Sequence, residues 1–406
     1  MAIGLLAACT VTGCSSLPSG TEEPVIQVVE SQPINTPDAV TPAPVVTQAP
    51  TESEEEATPD PEATEEPERI ADTKTIRERY TDENGLMQSY LTGEWIDANI
   101  AQRRPMAVML GNNKAILPQY GVSKASIIYE APVEGRISRM MAIIEDYDEL
   151  EFVGPVRSSR DYFVYEAMAY DAIYCNWGLA VPYVEELLAS DRVDNISQAV
   201  SGIHNPYQSA FFRRDRPGYK TEYTGYMYVD GYEDGVEHYD YETEYRGSFE
   251  QAFTFANDGW PALYEDHEDA TLVYPGGSSG TNRSGYGSHR PRFEYNEEDG
   301  LYYRYQFDKA HTDEFNGEQI AVSNVVFKVC NGEVRDVNDY LIFGVHGEGD
   351  AYIFTNGKVI EGSWSRSKDS SANMFYDENG EEVIFNQGKT WICCIWDDYA
   401  DCMEWR

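Results

Sequence analysis

The chain has 406 residues with 71 Asp or Glu against 30 Lys or Arg, a formal net charge of −41, and its length allows two ordinary domains. This charge argues against nucleic acid and anionic lipid headgroups as electrostatic partners, because both require a basic protein surface. The sequence also lacks an apolar run of about 18 residues or more, the length that a membrane-spanning helix needs.

The N-terminal segment 1–14 is typical of a bacterial lipoprotein signal. Its short apolar run ends in the tetrapeptide VTGC at Cys14, and an upstream tetrapeptide, LAAC, ends at Cys9. In such a motif the cysteine is lipidated and becomes the first residue of the mature protein. We predict Cys14 as the lipidated residue, because it has the longer apolar run ahead of it and a serine-rich stretch after it. Cys9 stays the alternative.

Residues 15–75 have the composition of a disordered acidic linker. They contain ten of the twenty prolines, fourteen acidic residues, two basic residues and no aromatic residue. Such a segment cannot bury enough apolar surface to offset its chain entropy. A lipid anchor, an acidic spacer and a folded body, in this order, predict a bacterial protein of the Gram-positive kind on the outer face of the cytoplasmic membrane.

The first folded region, 76–250, is predicted to be an α/β domain, because strand and helix patterns alternate along it. Its lead-in, 76–101, has a weakly helical pattern. Pro155 precedes a longer helix, for which Ser158 is a candidate N-cap and Asp161 completes a weak capping box. The other predicted elements are the strands 106–110, 125–133, 138–145 and 171–176, the hairpin turn Glu134–Arg136 and a helix over 182–189.

The second folded region, 251–406, is predicted to be mainly β, which makes the fold class α+β for the whole body. The pair Asn356-Gly357 stands between two apolar runs and is the strongest short signal for a hairpin. The glycine-rich loop Gly276–Gly287 is predicted to be mobile. The predicted turns are 296–300, 355–358 and 377–380, and the clearest strands are 319–329, 352–354, 359–364 and 390–395.

Cysteine and histidine spacing predicts neither a metal site nor a cofactor. Adjacent Cys393 and Cys394 would point to opposite faces of a strand, so they do not readily share a metal ion. The six histidines show no metal-ligand spacing, and no nucleotide-binding loop occurs. Buried free thiols are the preferred interpretation of the cysteines after Cys14, including Cys175 and Cys330. A disulfide from Cys402 to Cys393 or Cys394 stays open.

Arginines gather in one part of this acidic chain. Arg157 and Arg160 stand at the predicted helix N-terminus, where positive charge is unfavourable without a negative partner, and Arg136 and Arg139 lie shortly before them. One interpretation is a structural ion-pair cluster, and the other is a site for a carboxylate or phosphate ligand. We favour the structural interpretation narrowly and keep the four arginines as candidate ligand-binding residues. The candidate acidic partners are Glu130, Glu134 and Glu145.

Three acids are candidates for general acid and base catalysis. Glu130 and Glu134 flank a turn, and Asp161 stands where it can face them. A glycosidase needs two carboxyl groups whose pKa values are pushed apart. In a chain with 71 acidic residues, however, some pair of acids falls near any point. A wall-active hydrolase or transferase, with Arg157 or Arg160 gripping the substrate, is therefore the alternative function.

A run of tyrosines mixed with acids makes a cell-wall glycan a candidate partner. Rings that stack on sugars and carboxylates that bind hydroxyl groups are typical of glycan grooves. Tyrosines are also common on exposed sheets of extracellular proteins. The residues concerned are Tyr223, Tyr226, Tyr228, Tyr232, Tyr239, Tyr241 and Tyr245.

Five blocks of the folded body occur in the order found in one protein family. They are RPMAVML (104–110), ASIIYEAPVEGRISRMMAII (125–144), GPVRSSRDYF (154–163), AYIFTNGKVIEGSWSR (351–366) and GKTWICCI (388–395). Through them the chain resembles the YerB-type lipoproteins of Gram-positive bacteria. The resemblance implies a lipoprotein with a two-domain body outside the cytoplasm, and it implies no established reaction. Asn176–Ala180 and Tyr219–Glu222 depart from the histidine-containing stretches of that family, which weakens a catalytic interpretation.

The preferred function is a non-enzymatic lipoprotein of the cell envelope, held to the membrane by its N-terminal lipid. Its body is expected to bind an anionic or glycan ligand, or a partner protein, without a cofactor. Capture of a small anion and a purely structural role stay open, although the absence of two similar α/β lobes weighs against the first.

Overall fold

The computed structural model describes residues 74–181, 183–280 and 282–406. The predicted lipoprotein segment with Cys9 and Cys14, and the predicted linker up to residue 73, lie outside the described residues. The described part of the chain is predominantly β with four short α-helices, so the α/β character predicted for 76–250 is present only in part. None of these helices is long and apolar enough to cross a membrane.

Strands make up most of the secondary structure. Before residue 250 they are β1 (Leu86–Gln88), β2 (Trp95–Asp97), β3 (Met106–Gly111), β4 (Ile127–Val133), β5 (Ile137–Ile144), β6 (Phe152–Val153), β7 (Ile173–Asn176), β8 (Asn195–Ser197), β9 (Phe211–Arg213) and β10 (Gly225–Tyr228). After residue 250 they are β11 (Thr254–Phe255), β12 (Leu272–Tyr274), β13 (Arg292–Asn296), β14 (Leu301–Gln306), β15 (Lys309–Ala310), β16 (Ala321–Val322), β17 (Asn324–Cys330), β18 (Gly332–Val334), β19 (Leu341–Phe343), β20 (Gly347–Thr355), β21 (Lys358–Arg366), β22 (Met374–Asp377), β23 (Ile384–Phe385), β24 (Thr390–Trp396) and β25 (Glu404–Trp405). The α-helices are α1 (Ala98–Gln102), α2 (Asp161–Met168), α3 (Glu185–Leu188) and α4 (Val229–His238), and short 3-10 helices span Val122–Lys124, Gln208–Ala210, Thr221–Tyr223 and Asp397–Cys402.

A ten-stranded sheet forms the centre of the fold, in the order β22-β21-β20-β17-β24-β4-β5-β3-β7-β8. Five of its strands precede residue 250 and five follow it. The two sets meet where β24 pairs in parallel with β4, with Thr390 opposite Ile127. Strands from both sides of the boundary predicted between 76–250 and 251–406 therefore belong to the same sheet. That this boundary separates two domains stays a prediction.

Several strands of the sheet run in the same direction as β4. β24 and β17 are its parallel neighbours on one side, and β3, β7 and β8 are parallel to it beyond the antiparallel β5. The last residues of these strands lie at one end of the sheet, where the strands finish. We call this end the carboxyl edge, which is distinct from the outermost strands of the sheet. Ligands of sheets with parallel strands and covered faces bind outside the carboxyl ends of the strands. The residues concerned are Val133, Trp396, Cys330, Gly111, Asn176 and Ser197.

Both faces of the central sheet are covered, which explains the continuous apolar runs of β3, β4 and β5. On one face the first core includes Phe163 of α2, and on the other the second core includes Phe293 of a six-stranded sheet built from β12, β13, β14, β15, β16 and β25. Cys394 belongs to the first core and Cys393 to the second, which confirms that they point to opposite faces. Among the described residues the cysteines are free thiols, and Cys402 forms no disulfide.

Two predictions for the first region are wrong in detail. Most of the lead-in 76–101 forms the β1–β2 hairpin, in which Gly93 has a φ of 73°, and only its last residues are helical, in α1. Helix α2 begins at Asp161 with Arg160 as its N-cap, so Ser158 does not cap it. The reason lies in the preceding residue: the Ser159 amide donates to the carbonyl oxygen of Gly178 at 2.8 Å, which keeps the chain extended up to the helix.

Candidate functional site

Glu130, one of the candidate acids, lies in the middle of β4 and is fully buried in the central sheet. Its carboxylate accepts hydrogen bonds from Arg304 Nη2 at 2.7 Å and from Trp391 Nε1 at 3.1 Å. It also lies 3.1 Å from His289 Nε2. The remaining donors are the side chains of Asn112 and Ser138. Five side chains of the described residues therefore bind this carboxylate inside the protein.

The environment of Glu130 keeps it ionised. Burial alone would raise the pKa of its carboxyl group, but the charge of Arg304 and the hydrogen bond with His289 lower this pKa to about 2. Burial also lowers the pKa of His289, so the imidazole ring is predominantly neutral at pH 7. A general acid must carry a proton and reach its substrate, and Glu130 does neither. The geometry fits a structural carboxylate better than a catalytic one.

Ser138, His289 and Glu130 together contain the residue types of a Ser-His-Glu triad. In such a triad the hydroxyl group and the carboxylate bond to opposite nitrogens of the imidazole ring. Here both groups lie 3.1 Å from the same atom, His289 Nε2, and Ser138 is itself buried. The three side chains form a buried polar network without the arrangement that activates a nucleophile.

The other two candidate acids are each bound by an arginine. Arg160 donates from both Nε and Nη2 to the carboxylate of Glu134, with 2.7 Å between Nε and Oε1. Arg335 Nη2 donates to Asp161 Oδ2 at 2.6 Å. Since Glu130 is bound by Arg304, the three acids have three different arginine partners. No contact joins any two of them in the described part of the chain.

Among the described residues, only one of the four candidate arginines forms a predicted ion pair. Arg160 binds Glu134, whereas Arg157 Nη1 donates to a main-chain oxygen of the 3-10 helix at Thr221–Tyr223, at 2.5 Å. Arg139 is buried on β5 and donates from Nη1 to a main-chain oxygen just before α2, also at 2.5 Å. Burial, and then the charges of Arg160 and Arg157, lower the pKa of Arg139 to about 9. Arg139 is therefore still charged at neutral pH, without a carboxylate bound to it.

Glu145, which was a predicted partner for these arginines, is bound by hydroxyl groups instead. Its buried carboxylate accepts hydrogen bonds from Ser89 and Ser126, each at 2.8 Å. Burial raises the pKa of Glu145 to about 7, although the two serines act in the opposite direction. The predicted pairing of the helix arginines with Glu130 or Glu145 is therefore wrong, and only the pairing with Glu134 is confirmed.

Arg136 lies elsewhere, in a pocket of about 280 Å³ at the carboxyl edge. Four segments form this pocket: the β4–β5 turn, the loop that carries Arg283, the β18–β19 loop and the residues that follow β24. Arg136 and Arg283 line it, and neither forms an ion pair with another described residue. Trp396 and Tyr399 supply aromatic walls, with their ring centres 5.3 Å apart. We call this feature the edge pocket.

The loop that carries Arg283 is packed onto the central sheet. Tyr286 is buried, and its hydroxyl lies 2.9 Å from a main-chain oxygen of β4 and 2.9 Å from one of β24. Gly285 has a φ of 90°, and a Cβ atom there would lie 2.6 Å from Pro132 Cβ. The absence of a side chain at Gly285 lets this part of the loop approach β4 closely, and the mobility of the loop as a whole stays a prediction.

Sequence reasoning did not identify Arg283, Arg304 or His289. Arg304 stands 174 positions from Glu130, so no local spacing connects the two. A signal appears only once β14 is known to be a strand: its residues alternate between half-buried and buried, and Arg304 falls on the buried side. A charged residue at an inward position of a strand requires a buried partner. Arg283 has no such signal, because its neighbours in sequence are glycine, serine and asparagine.

The predicted glycan surface is smaller than the tyrosine run suggests. Tyr226 and Tyr232 are buried in the body, whereas Tyr228 is exposed and stacks on Phe212 with 3.9 Å between ring centres. The run therefore does not form one continuous exposed aromatic surface. Across the described ranges, no group of three or more His, Cys, Asp or Glu side chains is placed to hold a metal ion.

Comparisons with known proteins agree with the two-region body. Residues 91–242 match the N-terminal domain of a protein family of unknown function, DUF3048, and residues 283–392 match its C-terminal domain. A relative named "Putative lipoprotein YerB", from Bacillus subtilis (strain 168), is 27% identical over 312 residues, which are 75% of this chain and 85% of that protein. The crystal structure of YerB protein from Bacillus subtilis is similar with a TM-score of 0.63 at 25% identity, and the match covers 78% of this chain and 98% of that chain.

Proposed function

Because this chain belongs to the DUF3048 family and is homologous to YerB, we propose that it is a lipoprotein of the bacterial cell envelope that binds an anionic ligand and catalyses no reaction. The name of the Bacillus subtilis relative supports the lipoprotein part. One observation carries the binding part: Arg136 and Arg283 line the edge pocket without an ion-pair partner among the described residues.

Two unpaired arginines in one pocket are notable because the chain is so acidic. Of the neighbouring arginines, Arg160 is paired with Glu134, whereas Arg136 and Arg283 are exposed and have no ion-pair partner among the described residues. Both arginines line the same pocket, so an anion bound there would meet positive charge from both. Hydrogen bonds from a charged donor contribute about 1.5–3 kcal/mol each, and the guanidinium fork matches the geometry of a carboxylate or phosphate. The edge pocket is therefore suited to an anion.

The alternative function, a wall-active hydrolase or transferase, has less support. It requires a carboxyl group that can exchange a proton with a substrate. Glu130 is fully buried, and Glu134 and Asp161 are each bound by an arginine. Arg157 is half-buried and free of an ion pair among the described residues, so it could still contact a ligand, but no candidate acid is paired with it.

Anion binding can be tested by isothermal titration calorimetry on the full chain. The probes are inorganic phosphate and N-acetylalanylalanine, a dipeptide that carries a carboxylate and no ammonium group. We expect at least one probe to bind, and we expect Arg136→Gln and Arg283→Gln each to weaken binding about tenfold, which corresponds to 1.4 kcal/mol.

The matched control is Arg103→Gln, because Arg103 binds Asp148 at 2.7 Å beside the start of β3, at the opposite edge of the sheet. This variant should bind like the unmodified chain. Failure of both probes to bind, or equal binding by all three variants, would refute the proposed function.

We also propose that Cys14 carries the lipid and that the body lies on the outer face of the cytoplasmic membrane. Mass spectrometry of the protein from membranes of a Gram-positive host should detect acyl chains. These chains should be lost in Cys14→Ser and retained in Cys9→Ser. The reverse result would move the assignment to Cys9, and a chain without acyl groups would remove the anchor.

A further inference from the structure

The edge pocket contains a third charged residue of opposite sign. Asp339 lines the pocket from the β18–β19 loop. It has a φ of 61°, and its main-chain amide donates to the carbonyl oxygen of Asp336 at 3.1 Å, which fixes its place in the loop. Its carboxylate forms no ion pair with another described residue. The pocket thus presents two cations and one anion that the protein itself leaves without partners.

Some neighbouring charges are paired within the protein, whereas these three side chains are exposed and form no ion pair with one another. In the same loop Arg335 binds Asp161, and near the β4–β5 turn Arg160 binds Glu134. Asp339 lines the same pocket as Arg136 and Arg283 and yet binds neither of them. A ligand that carries a negative group at one end and a positive group at the other would satisfy all three side chains. A simple anion would leave Asp339 unpaired.

The space between the charges is suited to a short organic chain. Val133 and Leu341 are buried apolar residues of the pocket wall. The indole nitrogen of Trp396, another wall residue, is buried and has no hydrogen-bond acceptor among the described residues. Because this nitrogen has almost no accessible surface, Trp396 lines the pocket with the carbon atoms of its ring. The volume of about 280 Å³ lies just below the usual range for ligand pockets, about 300–1,000 Å³, so only a small ligand fits.

We propose that the edge pocket binds a short peptide that has a free carboxylate and a free ammonium group, an inference that rests on the anion-binding function proposed above. Arg136 and Arg283 bind the carboxylate, Asp339 binds the ammonium group, and the ring of Trp396 packs against the peptide between them. Val133 and Leu341 contact small apolar side chains of the peptide. Binding is non-covalent, and the two charged ends set the orientation.

Calorimetric titration of the full chain with four matched probes tests this inference. Alanylalanine carries both charges, N-acetylalanylalanine lacks the ammonium group, and alanylalanine amide lacks the carboxylate. O-Phosphoethanolamine carries an ammonium group and a phosphate but no peptide group. We expect alanylalanine to bind most tightly, acetylation to weaken binding about tenfold, and amidation to weaken it about tenfold or more.

Variants assign each end of the probe. Asp339→Asn should abolish the preference for alanylalanine over its acetylated form, whereas Arg136→Gln, which leaves Arg283 in place, should reduce the preference over the amide. Asp350→Asn, an exposed acid on β20, is the matched control and should leave both preferences unchanged. Because the comparison of probes on the unmodified chain needs no variant, a misfolded variant would not remove the test.

The outcomes separate the two proposals. If acetylated and free dipeptide bind equally, or if Asp339→Asn keeps the preference, the peptide inference is wrong while anion binding stands. Tighter binding of O-phosphoethanolamine than of alanylalanine would also overturn the peptide inference and point to a phosphate-bearing zwitterion. If neither the dipeptides nor the phosphate probes bind, both proposals fail.

Discussion

At the scale of single residues, Arg304 forms a fully buried ion pair that stabilises the body. Its guanidinium group lies 4.2 Å from the ring centre of Trp391, and its ion pair with Glu130 has no solvent exposure on either side chain. Removal of one member of a buried ion pair leaves the other charge unpaired, which costs about 3–5 kcal/mol. We expect Arg304→Met to lower the free energy of unfolding by this amount in urea denaturation.

Arg292→Met is the control for this substitution. Arg292 pairs with Glu294 on the neighbouring strand β13, and both side chains are partly exposed, so its loss should change stability by about 0–1 kcal/mol. The double variant Glu130→Gln with Arg304→Met should regain part of the loss, because no unpaired charge remains. If Arg304→Met unfolded at the same urea concentration as Arg292→Met, the buried pair would have no such role.

Glu145 makes the folded protein less stable as the pH rises. A salt-bridged acid, whose pKa is lowered, has the opposite effect. Burial raises the pKa of Glu145 from 4.5 to about 7, so between these values the folded chain holds a proton that the unfolded chain has lost. Stability from this group is therefore fully present below about pH 4.5 and is lost as the pH rises through 7. The shift corresponds to roughly 3 kcal/mol, at 1.36 kcal/mol per pKa unit.

The comparison with Glu145→Gln isolates this effect, because glutamine can accept hydrogen bonds from Ser89 and Ser126 without titrating. We expect the free energy of unfolding of the unmodified chain, minus that of the variant, to be roughly 3 kcal/mol smaller at pH 8 than at pH 4. Urea denaturation at both pH values measures it. A difference that does not change with pH would show that the Glu145 carboxyl group titrates normally.

At the scale of elements, the local sequence pattern predicted the main strands and turns, but it did not predict which strands pair with each other in the sheet. The apolar runs of β3, β4 and β5 and the turn Glu134–Arg136 were predicted because their signals lie within a few residues. The Asn356-Gly357 turn between β20 and β21 is confirmed, with positive φ values of 51° and 72°. The pairing of β24 with β4 was not predictable, because a strand that is apolar on both faces fits beside any other.

The loop after β12 shows what a local glycine signal does not reveal. Its glycines indicated mobility, whereas Gly285 is needed for contact with Pro132 and thereby shapes the edge pocket. We expect Gly285→Ala to destabilise the chain by about 1–3 kcal/mol more than Gly380→Ala does, measured by thermal or urea unfolding. Gly380 has a similar φ of 79° but open space around it, so the comparison separates the contact from backbone strain. Equal losses would mean that the contact with Pro132 is unimportant.

At the scale of the whole molecule, the charged contacts connect the two regions of the sequence. Glu130 binds Arg304 across 174 positions, and Lys328 binds Glu166 at 2.7 Å across 162 positions, with no solvent exposure in either pair. The order of the predicted strands and helices indicated two regions. Ion pairs between residues so far apart in the sequence cannot be predicted from the spacing of neighbouring residues. The candidate site shares this property, because the edge pocket combines Arg136 from the first region with Arg283 from the second.

These connections predict that the body unfolds as one cooperative unit. The central sheet contains strands of both regions, and a chain cut at residue 250 would expose β4, which is buried along its whole length, as a new sheet edge. We expect one calorimetric transition for the full chain, with calorimetric and van't Hoff enthalpies that agree. We also expect the fragment 76–250 alone to lack the dispersed amide NMR spectrum of a folded protein. Two separate transitions, or a folded fragment, would show instead that the regions are independent domains that merely share a sheet.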